Sequence, residues 1–242
     1  NFNDFPKIHI RLLWLYLRSI PFLWFQTEGK YLAVNYLEEC PFIKNMSTIR
    51  FKNVDDPRVK KIFLKVLSHY KPLQDKKIDL VQRRLKKTTM RAQPVLSTFL
   101  GGKHNRRYKI EMNNSVQLPN HIKLEELDDE VLYGWLAHEM GHLMDYLRHG
   151  FFGMLKYGLL YLASSNYRMG AERRADLFAI EYGMSDQILA TKEYILEKSN
   201  LSDKYKARIR KYYMSADEVL MMVEGEEKEE LRMDDVNIFD PR

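Results

Sequence analysis

The stretch His138-Glu139-Met140-Gly141-His142, just past the middle of the chain, has the form His-Glu-x-x-His. In an α-helix, residues four positions apart lie one turn apart on the same face. Both imidazoles can then bind one zinc ion, while the carboxylate of Glu139 addresses a water molecule on that ion. The pattern therefore predicts a helix that carries the core of a zinc hydrolase site.

The residues around this motif predict a buried helix from Leu124 to His149. Flanking residues such as Trp135, Leu136 and Leu143 make it apolar enough to be buried. A buried histidine pair with an adjacent glutamate is costly unless a metal ion or hydrogen bonds satisfy it. Gly141 costs about 1 kcal/mol relative to alanine in mid-helix, which indicates close packing against its backbone.

A catalytic zinc ion needs a third protein ligand and one open position. His149 follows His142 by two helical turns, about 10 Å along the axis, which is too far to share the ion. The metzincin pattern requires a histidine at position 148, where the chain has Arg148. The third ligand is therefore expected elsewhere.

Glu172 is the better candidate for this ligand, and Asp176 lies four residues after it on a predicted helix from Gly170 to Tyr182. One carboxylate can bind the ion while the other accepts the free N–H of a zinc-binding histidine. A solvated acidic pair beside Arg173 and Arg174 is the alternative interpretation. The nearby His-Glu-x-x-His motif favours ligation.

The motif is followed about thirty residues later by Glu-x-x-Ala-Asp-x-x-Ala at 172–179. This pair of motifs resembles the gluzincin metallopeptidases, most closely the branch of the CAAX prenyl endopeptidases, the HtpX membrane proteases and the minigluzincins. The resemblance covers roughly residues 88–183. It implies that zinc is held by His138, His142 and Glu172, that Glu139 is the general base, and that Asp176 orients a ligand.

In that family, an edge strand upstream of the motif binds the extended substrate, and Arg106 to Met112 takes that place here, with Tyr108, Ile110 and Met112 on one side. Residues 88–100, a turn at 101–105 and residues 106–112 predict a hairpin, and Pro94 indicates an edge position or a bulge. Spacing does not select the oxyanion-stabilising side chain among Tyr161, Tyr167, Arg168 and Tyr182.

The predicted fold class is α+β and predominantly helical. We expect an N-terminal helical region at 1–87, with helices at 8–39 and 57–87, and a zincin-like core at 88–184 with a small antiparallel sheet beside the motif helix. A helical extension at 185–242 follows, and its last helix opens with a capping box at Ser215 to Glu218. One compact unit is the default for 242 residues.

Charge is unevenly spread along the chain. Lys76 to Lys109 contains eleven Lys or Arg residues against Asp79 alone, whereas Glu224 to Asp235 is strongly acidic. A solvated face is the simplest interpretation of the basic run, and no nucleic-acid-binding motif accompanies it. Nucleic acid is therefore not an expected partner. The single cysteine excludes a disulfide framework and fits a cytoplasmic location.

No uncharged apolar stretch reaches the 18 residues that a membrane span needs. Two segments, 8–25 and 150–165, are nevertheless apolar for most of their length. Core packing is the simpler interpretation of each, and peripheral attachment to a membrane surface is the alternative.

These observations together predict a zinc-dependent endopeptidase that hydrolyses a peptide or protein substrate through a zinc-activated water, with Glu139 as the general base. A regulatory metallopeptidase of the ImmA/IrrE type is one alternative, because it pairs the same motif with a downstream Glu-x-x-Ala. A non-catalytic helical interaction protein at a membrane surface is another.

Overall fold

A computed structural model describes residues 48–85, 88–114, 127–198 and 202–225. The described residues all belong to one compact unit. The predicted helix at 8–39 and the apolar segment at 8–25 lie outside them.

Four short strands form one mixed sheet: β1 (Ile49–Lys52), β2 (Lys77–Gln82), β3 (Met90–Pro94) and β4 (Arg107–Met112). Their order is β1-β2-β4-β3. β2 is parallel to both β1 and β4, and only β3 runs antiparallel, beside β4. The prediction of an antiparallel sheet was therefore right only for the hairpin of β3 and β4. The N-terminal region is not wholly helical either, because it supplies β1 and β2.

The side chains of the sheet alternate between two faces, as the two-residue period of a strand requires. One face packs into the core, and its residues on the two central strands, Ile78, Leu80, Tyr108, Ile110 and Met112, are fully buried. The opposite face carries mostly charged residues: Arg50 and Lys52 on β1, Asp79 on β2, Arg91 on β3, and Arg107, Lys109 and Glu111 on β4. Four residues of the basic run, Lys77, Arg91, Arg107 and Lys109, therefore lie on this face of the sheet.

β4 is an interior strand, so the prediction that Tyr108, Ile110 and Met112 form a substrate-binding edge is wrong. β2 and β3 flank β4, and these three side chains are fully buried in the core. The error arises because β2 was predicted to be helical, which left β4 without its second neighbour. The edge strands are β1 and β3, and Pro94 ends β3 at the edge, as predicted.

Helices make up most of the described chain, which confirms an α+β fold that is predominantly helical. They are α1 (Pro57–His69), α2 (Asp129–Leu147), α3 (Phe151–Ala163), α4 (Ser165–Glu181), α5 (Ser185–Glu193) with a π-helical turn at Tyr194–Lys198, α6 (Asp203–Tyr212) and α7 (216–225). The capping box before α7 is confirmed: Ser215 N–H donates to the Glu218 carboxylate, and Glu218 N–H donates to Ser215 Oγ.

α2 is the central helix, buried on all sides from Val131 to Tyr146. It packs against α1, α4 and α5 and against β3. Two glycines allow neighbouring backbones to approach it. A Cβ at Gly134 would lie 2.0 Å from the Gln187 carbonyl oxygen on α5, and one at Gly141 would lie 2.2 Å from the Ala175 carbonyl oxygen on α4. The close packing predicted at Gly141 is confirmed.

The apolar segment predicted at 150–165 forms α3 and the first residue of α4. α3 buries Met154 and Tyr157, whereas its opposite face exposes Phe152, Leu159 and Leu162. Core packing therefore accounts for only one side of this helix. None of the helices in the described part of the chain has the length and apolarity needed to cross a membrane.

Candidate metal centre

His138, Glu139 and His142 lie on consecutive inner turns of α2, and Glu172 faces them from α4. The rings of His138 and His142 are 4.8 Å apart between centroids. Glu172 Oε2 lies 3.1 Å from His138 Nε2 and 3.4 Å from His142 Nε2. His138, His142 and Glu172 are all buried, and each offers a ligand atom within 4.8 Å of the other two. This group can hold a metal ion.

The spacing of these atoms suits a tetrahedral ion. Ligands at the usual 2.0–2.1 Å from zinc are about 3.3 Å apart, close to the two nitrogen–oxygen distances. Within the described residues, Glu139 Oε2 beside this group is also buried without a hydrogen-bond partner. A purely structural ion-pair cluster would leave such a polar atom unsatisfied at a cost. The donor set therefore fits a metal ion better than a closed salt bridge.

The contact between α2 and α4 sets the position of Glu172. Ala175, whose carbonyl lies against Gly141, falls between Glu172 and Asp176, so the missing side chain at Gly141 lets both carboxylates reach the histidines. One turn beyond, Arg174 donates to the buried Asp145 carboxylate through Nε at 3.0 Å and Nη2 at 2.9 Å. This two-point contact fixes the rotation of α4 against α2.

The Asp176 carboxylate contacts His138 at Nδ1, the ring nitrogen that does not face Glu172. Its Oδ1 lies 2.9 Å from His138 Nδ1, while Oδ2 accepts from Lys192 Nζ at 2.8 Å and from the Met214 N–H at 3.2 Å. Burial alone would raise the pKa of this carboxyl, but Lys192 and His138 outweigh it and lower the pKa to about 2. Asp176 is thus an ionised acceptor that orients His138 Nε2 toward Glu172.

The same contacts govern the charge of the ligand side chains when no ion is bound. Burial would lower the pKa of His138, but the hydrogen bonds to Asp176 and Glu172 raise it to about 10. Burial would raise the pKa of Glu172, but His142 and His138 hold it well below its usual value. An entering metal ion must therefore displace a proton from His138.

Glu139 points toward the edge of the sheet at β3. Its carboxyl accepts a hydrogen bond from the Ala92 backbone, and burial raises its pKa although His142 and His138 oppose the rise. Tyr146 donates to the Ala92 carbonyl at 3.3 Å. The peptide groups of β3 that point away from β4 therefore lie directly beside the proposed general base. β3 thus takes the edge position that the sequence analysis had assigned to β4.

Of the four side chains predicted as oxyanion candidates, Tyr161 lies on the site. Its hydroxyl donates to Glu172 Oε1, and burial followed by the charge of Glu172 raises its pKa. Arg168 donates to the Tyr161 carbonyl, whereas Tyr182 packs on Tyr70 with ring centroids 4.9 Å apart. Tyr167 packs against Tyr157, as does His149, which stays outside the ligand group as predicted.

A cleft of about 950 Å³ opens onto these residues. His138, Glu139, His142 and Glu172 line it together with all of β3, and Tyr161 and Tyr213 line it as well. No protein-family model, curated protein or solved structure matches this chain.

Sequence reasoning missed three contributors from the C-terminal region. Lys192 and the Met214 N–H bind Asp176, and the ring of Tyr213 lies 5.2 Å from that of His138. None belongs to a motif. The only signal in the sequence was the position of Lys192 among the apolar residues of a predicted helix, where a buried lysine requires an acidic partner.

Proposed function

We propose that this protein is a zinc-dependent endopeptidase of the gluzincin type, with a zincin-like core. The observation that carries the proposal is the buried group of His138, His142 and Glu172 in an open cleft, with the unpartnered Glu139 Oε2 beside it. Two imidazoles and one carboxylate are a ligand set that catalytic zinc uses, with a fourth position left for substrate or water.

Zinc bound by these three side chains would supply Lewis-acid chemistry, polarising the scissile carbonyl and lowering the pKa of a water molecule. Glu139 accepts the proton of the attacking water and passes it to the leaving amine, a role suited to a buried carboxylate with a raised pKa. Tyr161 is kept protonated by its own raised pKa, and its hydroxyl would turn from Glu172 Oε1 to donate a hydrogen bond toward the charge that develops on the carbonyl oxygen.

The substrate lies along β3 in an extended form. Val95 N–H donates to Arg107 and Asn113 N–H donates to Thr89, so alternation turns the peptide groups of Met90 and Ala92 away from β4. A substrate strand can pair with these groups by replacing the bonds that Glu139 and Tyr146 make to Ala92. Binding of the substrate strand would then also release the Glu139 carboxylate from its hydrogen bond to Ala92.

Replacing Glu139 by glutamine tests the proposal, because it removes the proton acceptor while keeping the shape of the side chain. We expect proteolysis of an unfolded protein substrate to fall by at least a hundredfold, while bound zinc stays at one ion per chain. Glu181→Gln, an exposed change on α4, is the matched control. Wild-type activity in Glu139→Gln would refute the assignment.

We also propose that α3 attaches the protein peripherally to a membrane. Its outer face exposes 82% of Phe152, 68% of Leu159 and 76% of Leu162, and no described element covers them. An apolar helix face of this kind lies at the boundary between headgroups and acyl chains. Flotation with phosphatidylcholine vesicles should be lost in Leu159→Glu, with zinc content unchanged. Equal flotation of both proteins would contradict this role.

A further inference from the structure

The charged face of the sheet opens into the same cleft as the candidate metal centre. Seven basic side chains line this part of the cleft. Five lie on β1, β3 and β4, one lies directly after β2, and one lies on α6. They are Arg50, Lys52, Arg83, Arg91, Arg107, Lys109 and Arg208. We refer to them as the basic wall.

Two buried carboxylates hold most of this wall in place. Asp79 pairs with Lys52 at 2.7 Å and with Arg107 at 2.5 Å. Glu111 pairs with Arg91 at 2.6 Å and Lys109 at 2.9 Å, and Arg83 lies 3.6 Å away. Two anions thus position five cations. The cations are preorganised, so a ligand need not order them.

The wall remains strongly positive after this pairing. The five cations around the two carboxylates leave three positive charges in excess. Arg50 and Arg208 have no acidic partner among the described residues, so the total excess is five positive charges. A cleft lined by one sign of charge concentrates ligands of the opposite sign. Glu139 and Glu172 would balance a divalent ion, so the excess is available to the ligand.

The register of the sheet places this charge beside the proposed substrate path. Arg91 and Gln93 project from β3 to the charged face, next to Glu111 and Lys109 on β4. An extended segment beside β3 would turn alternate side chains to the same face, about 5 Å from Arg91 and Gln93. Acidic side chains at alternate positions therefore meet the basic wall while the main chain passes the metal centre.

We infer that the cleft selects polypeptide segments rich in aspartate and glutamate. The inference rests on the proposed function for what happens to the segment after it binds, but the binding itself needs only the basic wall. A polypeptide fits better than a nucleic acid, because its main chain can pair with the outward peptide groups of β3. The tyrosines that line the cleft lie on α2, on α3 and directly after α6, whereas the charged face of the sheet contributes no aromatic side chain to the cleft lining on which bases could stack.

Fluorescence anisotropy on the full chain carrying Glu139→Gln tests the inference without cleavage. The probes are a labelled ten-residue peptide of alternating alanine and glutamate and its twin with glutamine at each glutamate. We expect the acidic peptide to bind at least tenfold more tightly at 50 mM salt, and the ratio to shrink toward one at 500 mM.

Charge variants locate the binding surface. Arg208→Glu touches neither buried carboxylate, and Arg91→Gln keeps an amide beside Glu111, so each should fold and weaken the acidic peptide at least threefold. Arg84→Glu is the matched control, since Arg84 is exposed in the same basic run but does not line the cleft. It should bind the acidic peptide as the parent protein does.

Equal affinity for the two peptides would overturn the inference, as would an equal loss in Arg84→Glu and Arg208→Glu. A single-stranded oligonucleotide that binds more tightly than the acidic peptide and competes with it would also overturn it. Failure here leaves the zinc peptidase proposal intact, because that proposal is tested by proteolysis and metal content. Failure of proteolysis in turn leaves the peptide affinities valid.

Discussion

Replacing Gly141 by alanine tests how closely α2 and α4 must pack for the metal centre to form. The new Cβ would lie 2.2 Å from the Ala175 carbonyl oxygen, where ordinary carbon–oxygen contacts are about 3.3 Å. Since both groups belong to helix backbones, α4 has to retreat by about 1 Å. Glu172 and Asp176 flank Ala175, so they retreat with it.

The cost to zinc affinity follows from this displacement. Site residues have to be held to within about 0.5 Å, and loss of one outer contact to a zinc ligand alone weakens binding about 10–100-fold. We expect at least that loss in Gly141→Ala. Stability should change less, because overpacking costs about 1–3 kcal/mol while alanine returns about 1 kcal/mol of helix propensity.

Competition with a zinc-binding dye measures the affinity, and urea unfolding measures the stability. Gly134→Ala is the control for overpacking, since its Cβ would meet the Gln187 carbonyl on α5 at 2.0 Å and leave the contact to Ala175 intact. Gly158→Ala, with nothing within 4 Å, is the control for helix propensity. A folded Gly141→Ala protein with wild-type zinc affinity would refute the reasoning.

Three further predictions follow from contacts around α2 and at the start of α7. Because the pKa of His138 is raised to about 10, zinc binding at pH 7 should release its proton, and affinity should rise about tenfold per pH unit from 7 to 9; calorimetry in buffers of different ionisation enthalpy counts the protons, and a count of zero contradicts the assignment. Lys192→Met leaves the buried Asp176 carboxylate without its ammonium partner. It should lower the free energy of unfolding, measured with urea at pH 7, by about 3–5 kcal/mol. Since the pKa of Asp176 is lowered to about 2, its stabilising contribution is present above pH 4 and lost as pH falls through 2, so the difference between the two proteins should narrow there; a constant difference would argue against the pair. Ser215→Ala removes one half of the reciprocal cap with Glu218 and should cost about 1 kcal/mol, whereas an unchanged urea midpoint would mean that the cap contributes nothing to stability.

The metal-ligand group could be predicted from the sequence because its information is local. His138 and His142 share a helix face by spacing alone, and Glu172 and Asp176 share another. Gly141 indicated a close approach to its backbone, and the structure shows that the approaching group is Ala175 of α4. Each inference needed only one helix, or one close contact between two, and the structure brings these side chains together.

The sheet could not be predicted in the same way because its order depends on pairings distant in the chain. β2 pairs with β4 across thirty residues that include β3. Residues 77–82 alternate between polar and apolar only in part, since Val81 faces outward with Asp79, so the strand resembled a continuation of the helical pattern. Without β2, the sequence assigned the sheet edge to β4. It could assign the basic run only to a solvated face, whereas the structure places Lys77, Arg91, Arg107 and Lys109 of that run on one face of the sheet.

Zinc content of the purified full chain tests the central claim most directly. Elemental analysis after dialysis against zinc and removal of excess metal should give one zinc per chain in the wild type and in Glu181→Ala, and a small fraction of that in Glu172→Ala. A Glu172→Ala protein that keeps one zinc with unchanged affinity, or a folded wild type that takes up none, would contradict the account.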